Sequence, residues 1–116
     1  MWMHNALCRL DEDKIIIVGK SDGIMKIISI SKNEIIKEIN NNFQCWGICL
    51  IEDKGIFLVG GGESKDIRIY RNDNYECIQT IKDAHNEIIR GFIELKDGTI
   101  ASFSEDKTIK KWNIEY

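Results

Sequence analysis

Residues 83–113 read DAHNEIIRGFIELKDGTIASFSEDKTIKKWN, and this stretch decides the fold of the chain. Apolar and polar residues alternate in three short runs, which indicates β-strands with one face turned towards a core. Turn-forming residues separate the runs: Asp97-Gly98 lies between the first two, and residues 105–107 lie between the second and third. Short alternating runs joined by tight turns predict a three-stranded antiparallel meander.

The two ends of the same stretch carry a second signal. His85 precedes the first run, and Trp112-Asn113 closes the third run. With the second strand, tight turn and third strand between them, these residues make the stretch resemble the repeat unit of WD40 β-propellers. The resemblance implies an all-β fold made of four-stranded antiparallel blades. It does not by itself identify a partner.

The whole chain repeats with a period of 42 residues, in which Trp112 falls on Tyr70 and Tyr70 falls on Ile28. A period of this length with four short strands per unit is typical of propeller blades. We therefore predict one WD40-repeat domain over residues 1–116, with blade 1 at about 3–39, blade 2 at about 44–81 and blade 3 at about 85–116. The predicted strands are residues 3–10, 15–18, 24–30, 35–39, 44–51, 55–60, 66–70, 76–81, 88–95, 99–104 and 109–114. The outer strand of blade 3 would fall beyond Tyr116, so the prediction is an incomplete ring.

Composition limits the class of function. The net charge of −3 and the scattered basic residues make a nucleic-acid-binding or lipid-headgroup-binding propeller a remote alternative. The sequence shows neither a secretory signal nor an apolar run long enough to cross a membrane. The four cysteines are then expected to be reduced thiols. We expect a protein of the cytoplasm, or of the nucleus, that is not secreted.

The WD40 resemblance implies that four residues of blade 3 form a structural tetrad: His85, Ser102, Asp106 and Trp112. In such a network the Trp donates its indole N–H, the Ser relays, and the Asp holds the imidazole. A Ser, His and Asp together also suggest a hydrolase, but no nucleophile elbow or oxyanion-hole element accompanies them. The structural interpretation is therefore preferred, and no catalytic residue is predicted.

The tetrad is predicted to be complete only in blade 3. The 42-residue period places other residue types at its positions in the other two blades, where apolar packing must replace it. These residues are Phe43, Gly60, Ser64 and Tyr70 in blade 2, and Val18, Asp22 and Ile28 in blade 1.

Two further motifs favour ordinary structure over chemistry. The segment at residues 60–65 is Gly-rich and ends in Ser-Lys, but it lacks the spacing of a phosphate-binding loop and precedes a strand. Cys45 and Cys49 share one predicted strand, with no second pair of metal ligands near them in the repeat. We expect neither a metal nor a cofactor.

Four residues are candidates for binding a partner: Trp46, Arg90, Glu63 and Glu105. Trp46 and Arg90 match the same repeat position, near the mouth of the ring, where aromatic and Arg side chains often anchor interactions. Trp46 could equally be a core residue between blades. The expected function is a non-catalytic scaffold that binds a protein or peptide. The alternative is an assembly module that closes a ring as a homo-oligomer or with further blades.

Overall fold

The computed structural model describes residues 5–19, 23–40, 45–61 and 64–114. Segments in which apolar and polar residues alternate form the strands of three antiparallel sheets. Each sheet is a meander in which consecutive strands pair with each other. The strands are β1 Asn5–Arg9, β2 Lys14–Gly19, β3 Ile24–Ser29, β4 Glu34–Asn40, β5 Cys45–Ile51, β6 Ile56–Gly61, β7 Ile67–Arg71, β8 Cys77–Ile81, β9 Ile89–Glu94, β10 Ile100–Ser104 and β11 Ile109–Trp112.

The sheets correspond to the three predicted blades. Blade 1 has the order β1-β2-β3-β4, blade 2 has the order β5-β6-β7-β8, and blade 3 contains β9-β10-β11 within the described residues. The ends of the predicted strands differ from the observed ends by at most two residues. The fold class is therefore confirmed, and within the described residues the third blade has three strands.

The first strand of each blade lies next to the first strand of the following blade. Strand β1 contacts β5, and β5 contacts β9, so these strands form the inner layer of the arc. Gly47 of β5 approaches Gly91 of β9 so closely that a Cβ on Gly47 would lie 2.9 Å from the Cα of Gly91. Only a residue without a side chain fits there.

The core is divided between the two interfaces that blade 2 makes with its neighbours. Strand β6 is buried on both faces. Phe57 and Val59 belong to the apolar cluster shared with blade 1, whereas Ile56 and Leu58 belong to the cluster shared with blade 3. A strand packed on both faces has no need of strict alternation, which explains the continuous apolar run of β6.

Within the described part of the chain, blades 1 and 3 each have one sheet face that is not covered by a neighbouring blade. Ile109 of β11 occupies the position that Ile67 occupies in β7, yet Ile67 is fully buried and Ile109 is 76% exposed. On the open side of blade 1, Leu7 is 62% exposed. Among the described residues, no helix combines the length and the apolar character needed to cross a membrane.

Candidate functional site

The predicted tetrad residues come together between β9, β10 and β11. The Nε2 atom of His85 lies 2.7 Å from Oγ of Ser102, and the indole Nε1 of Trp112 donates to the same Oγ at 2.8 Å. At the other side of the ring, Nδ1 of His85 lies 3.1 Å from Oδ2 of Asp106. One chain of hydrogen bonds thus joins Trp112 to Asp106 through Ser102 and His85.

The ionisation of Asp106 determines which groups donate and which accept in this series of hydrogen bonds. The pKa of Asp106 is held well below its usual range, first by the hydroxyl of Thr108 and also by the backbone N–H groups of Asn86 and Thr108 and by His85. An ionised carboxylate can only accept, so Nδ1–H of His85 donates to Asp106. In the neutral imidazole the Nε2 atom then accepts from the Ser102 hydroxyl, whose oxygen accepts from Trp112.

Thr108 is a fifth member of the network that the sequence did not predict. Its hydroxyl donates to Oδ1 of Asp106 and lies 3.1 Å from Nδ1 of His85. Its backbone N–H also donates to Oδ1 of Asp106, at 2.8 Å. A Thr two residues after an Asp is a common turn pattern, and that spacing was the available signal.

This arrangement connects loops and does not present a nucleophile. Ser102 is fully buried, and His85 is also buried. The Ser102 oxygen already accepts one hydrogen bond and donates another, so its groups are satisfied inside the protein. The site can hold the start of β9 against the turn between β10 and β11.

The structure corrects the predicted equivalent of Ser102 in blade 2. Ser102 pairs with Lys110, and the matching residue Arg68 pairs with Val59. The position equivalent to Ser102 is therefore Val59, and not Gly60. A Cβ on Gly60 would point at Ile89 of blade 3, so a side chain there could not join a tetrad within blade 2.

The same correction applies to blade 1. Lys26 is the residue that matches Arg68 and Lys110, and it pairs with Ile17, so Ile17 and not Val18 is the equivalent position. The cause is the length of the connection between the paired residues. It spans residues 18–25 and 60–67 in blades 1 and 2, but the shorter range 103–109 in blade 3.

Trp46, Arg90 and Glu105 also come together, and we call them the rim cluster. The guanidinium of Arg90 lies over the Trp46 ring, with 5.2 Å between Cζ and the ring centroid. One of its nitrogens forms an ion pair with Glu105. Arg90 and Glu105 are 49% and 40% exposed at their side chains, so the cluster is accessible to solvent.

Bulges place two of these side chains. In β5 the pairing skips Trp46, because Cys45 pairs with Gly61 and Gly47 pairs with Gly60. In β9 the pairing skips Arg90 in the same way, because Gly91 pairs with Phe103 and Ile89 pairs with Ser104. A bulge redirects the unpaired side chain, and here it brings both to one end of the sheets.

The rim cluster and the tetrad share a common support. Backbone and side-chain hydrogen bonds fix the β10–β11 turn, which carries Glu105, to the loop before β9. They run from Glu105 N to Ile88 O at 3.0 Å, from Ser104 Oγ to Glu87 O at 3.1 Å, and from Asn86 N to Asp106 Oδ2 at 3.0 Å. The position of Glu105 therefore depends on the turn that Asp106 holds.

Some predicted residues lie outside the described part of the chain: Glu63, together with Phe43 and Asp22. Within the described ranges, no group of three His, Cys, Asp or Glu side chains is arranged to hold a metal ion. No disulfide bond joins any of the four cysteines, Cys8, Cys45, Cys49 and Cys77, all of which lie in the described ranges. Burial raises the pKa of Cys49 to about 11.

Three meander sheets, packed through their inner strands, define three consecutive blades of a WD40 β-propeller fold. The WD40 β-propeller domain of Doa1 superposes with a TM-score of 0.78 over 94% of this chain and 36% of that one, at 20% identity. The RRP9 WD40 repeats superpose with a TM-score of 0.83 over 98% of this chain and 36% of that one, at 17% identity. The predicted resemblance is thereby confirmed for the fold.

Sequence comparison finds relatives that are much longer. The chain is 24% identical over 112 residues to apoptotic protease-activating factor 1 of Mus musculus, and 24% identical over 111 residues to that of Homo sapiens. Each match covers 95% of this chain and 9% of the relative, so the chain spans about a tenth of the length of these curated relatives. No protein-family model matches the sequence.

Proposed function

We propose that the chain is a non-catalytic scaffold that binds a protein or peptide partner through the rim cluster. The observation that carries the proposal is the stacking of Arg90 on Trp46 at solvent-accessible bulges of two neighbouring blades. Aromatic and Arg side chains are enriched among the residues that dominate binding energy. A rigid sheet that supports them keeps the entropy lost on binding small.

Glu105 and Glu63 complete the proposed surface. Glu105 pairs with Arg90 and can exchange that contact for one with a partner. Glu63 is proposed from its place in the repeat, since it precedes the turn position that matches Asp106. A location in the cytoplasm or nucleus also stays a prediction.

A peptide array tests the proposal. The fluorescently labelled chain is applied to an array of diverse peptides, together with the variants Trp46→Ala and Glu105→Ala. We expect these variants to lose at least about tenfold in affinity for the peptides that bind, the loss typical of an interface hot spot. Glu87→Ala is the matched control, because Glu87 is an exposed carboxylate outside the cluster. Binding that the rim variants leave unchanged would exclude this surface.

A second candidate is assembly with further blades or with a second copy of the chain. The observation that favours it is the open face of blade 3, where Ile109 is exposed at a position that is buried in blade 2. Exposed apolar sheet faces are uncommon in monomers and mark contact surfaces. Size-exclusion chromatography with light scattering tests it: a mass of two chains that Ile109→Lys returns to one chain supports assembly, and a single-chain mass at all concentrations opposes it.

A further inference from the structure

Arg90 in the rim cluster occupies a site that is suited to a cation. The π face of Trp46 contacts one side of its guanidinium, and the carboxylate of Glu105 binds a guanidinium nitrogen. An aromatic face attracts a cation through the ring quadrupole, and a carboxylate adds a charged hydrogen bond. Together, Trp46 and Glu105 supply the two groups with which proteins bind a guanidinium or an ammonium ion.

The two halves of this site are held more firmly than the cation inside it. Trp46 projects from the bulge of β5, whose neighbouring Gly47 packs against the backbone of Gly91. Glu105 lies in the β10–β11 turn, and its own backbone N–H donates to Ile88 O at 3.0 Å. Arg90 reaches between them with a long side chain that is 49% exposed. Contacts of an exposed Arg with one ring and one carboxylate are weak enough to exchange.

We infer that Trp46 and Glu105 form a recognition site for a basic side chain of the partner, either Arg or Lys. Arg90 fills this site in the free chain and is displaced on binding. The inference rests on the proposed function, because it names the chemistry of the residue that the rim cluster binds. Arg90 is then a competitor built into the site, and it lowers the affinity for any partner that inserts a cation.

An acidic partner fits the same surface less well. Its carboxylate would have to take Arg90 from Glu105 while approaching the negative charge of Glu105, and like charges in contact oppose binding. A basic side chain meets an aromatic face and a carboxylate that are already arranged around a guanidinium. The net charge of −3 on the chain also favours the approach of a cation.

Nuclear magnetic resonance titration of the whole chain tests the inference, with the indole N–H of Trp46 as the reporter. Assignment of that signal uses its loss in the variant Trp46→Phe. The probe is the tripeptide amide acetyl-Gly-Arg-Gly, and the matched probe is acetyl-Gly-Glu-Gly. We expect the Arg probe to shift the Trp46 signal and the Glu probe to leave it in place.

Two variants then separate the roles of the residues. Arg90→Gln removes the internal competitor and is expected to tighten binding of the Arg probe by about twofold to fivefold, the equilibrium factor for losing one weak, exposed cation–π contact. Glu105→Gln is expected to weaken it by a similar factor, whereas Glu87→Gln serves as the control that leaves it unchanged. Thermal melts of the three variants verify that each is folded.

The possible results distinguish this inference from the function on which it depends. If the Glu probe shifts Trp46 and Arg90→Gln abolishes that shift, the cation site is wrong, but the rim cluster still binds peptides. If the Arg probe shifts no signal of the wild type or of Arg90→Gln, the cation site is wrong as well, and the peptide array decides separately whether the rim cluster binds. A tighter complex with Arg90→Gln supports the inference.

Discussion

The carboxylate of Asp106 bonds to both the side chain of His85 and the backbone that follows it. Its Oδ2 atom lies 3.1 Å from Nδ1 of His85 and accepts the backbone N–H of Asn86 at 3.0 Å. Two hydrogen bonds to one oxygen attach the loop before β9 to the turn between β10 and β11. These bonds act together with those from Glu105 N to Ile88 O and from Ser104 Oγ to Glu87 O, so the Asp106–His85 link is expected to contribute to the stability of blade 3.

Replacing His85 tests that contribution. His85→Ala leaves the buried hydroxyl of Ser102 without its acceptor, and an unpaired buried group of this kind costs about 1–3 kcal/mol in the free energy of unfolding. Urea denaturation followed by Trp fluorescence measures the loss. Asn86→Ala is the control, because it keeps the backbone N–H that binds Asp106 and removes only an exposed side chain. Equal stabilities of the two variants would contradict a role for the network.

Two carboxylates with lowered pKa values are expected to make the free energy of unfolding depend on pH in acid. The pKa values of Asp106 and Asp97 lie below their usual range in the folded chain, with the hydroxyl groups of Thr108 and Thr99 as the first causes. Below the usual Asp pKa of about 3.9, the unfolded chain therefore binds more protons than the folded chain. The stabilisation is complete above about pH 5 and declines as the pH falls through and below about 4.

The variant Asp106→Asn isolates one of these groups. We expect the stability difference between it and the wild type to be largest at neutral pH and to shrink as the pH falls below about 4, because Asp106 of the unfolded wild type then binds a proton that the folded chain does not bind. Urea denaturation between pH 7 and pH 2.5 measures the difference. A difference that stays constant with pH would show that the charge of Asp106 is not what stabilises the turn.

The positions of the strands could be predicted because apolar side chains recur at matching positions of each repeat. Trp112, Tyr70 and Ile28 mark the third strand of each blade, and the period between them located the remaining strands to within two residues. The equivalents of Ser102 were placed wrongly for a physical reason. A shift of one residue turns a strand side chain to the opposite face, and the connection in blade 3 is shorter than in the other blades.

Contacts between the side chains of neighbouring blades were harder to predict from the sequence. Trp46 and Arg90 were correctly matched as one repeat position, but their stacking arises from bulges in β5 and β9. A bulge depends on the register between two paired strands, which the apolar pattern of each strand does not reveal. Thr108 was missed because the family resemblance supplied four positions, whereas the turn itself adds a fifth member, whose hydroxyl donates to Asp106.

Tyr70 and Trp112 occupy the same position in successive blades, and the same replacement should affect them differently. The Tyr70 hydroxyl is buried and makes no hydrogen bond of ordinary geometry among the described residues, with Arg68 as the charged group that interacts with it, whereas Trp112 donates to Ser102. Tyr70→Phe is expected to leave the stability unchanged or raise it by up to about 1 kcal/mol, since an unsatisfied polar group is removed. Trp112→Phe is expected to lower it by about 1–3 kcal/mol, through the lost hydrogen bond and the lost ring volume.

Thermal and urea denaturation of both variants make this comparison. Stacking on Phe57, with 5.2 Å between ring centroids, is available to Phe as well as Tyr at position 70, so packing is preserved there. A clear loss of stability in Tyr70→Phe would show that its hydroxyl has a partner within the folded chain. A neutral Trp112→Phe would show that the ring, and not its N–H, accounts for the role of Trp112.

The contact between the inner strands gives the last prediction. In Gly47→Ala the new Cβ would lie 2.9 Å from the Cα of Gly91 and 3.1 Å from the Arg90 oxygen, so two backbones must separate. We expect a loss of about 1–3 kcal/mol in the free energy of unfolding, the usual cost of overpacking.

Gly91→Ala provides the matched control. Its Cβ would meet the ring of Phe103 at 2.8 Å, but that ring is on the open face of blade 3 and 44% exposed, so it can rotate away. A smaller loss is therefore expected than for Gly47→Ala, although each variant adds one methyl group to the same pair of strands. Urea denaturation of the two variants measures both losses, and equal losses would mean that the backbones of β5 and β9 separate as easily as one exposed ring moves.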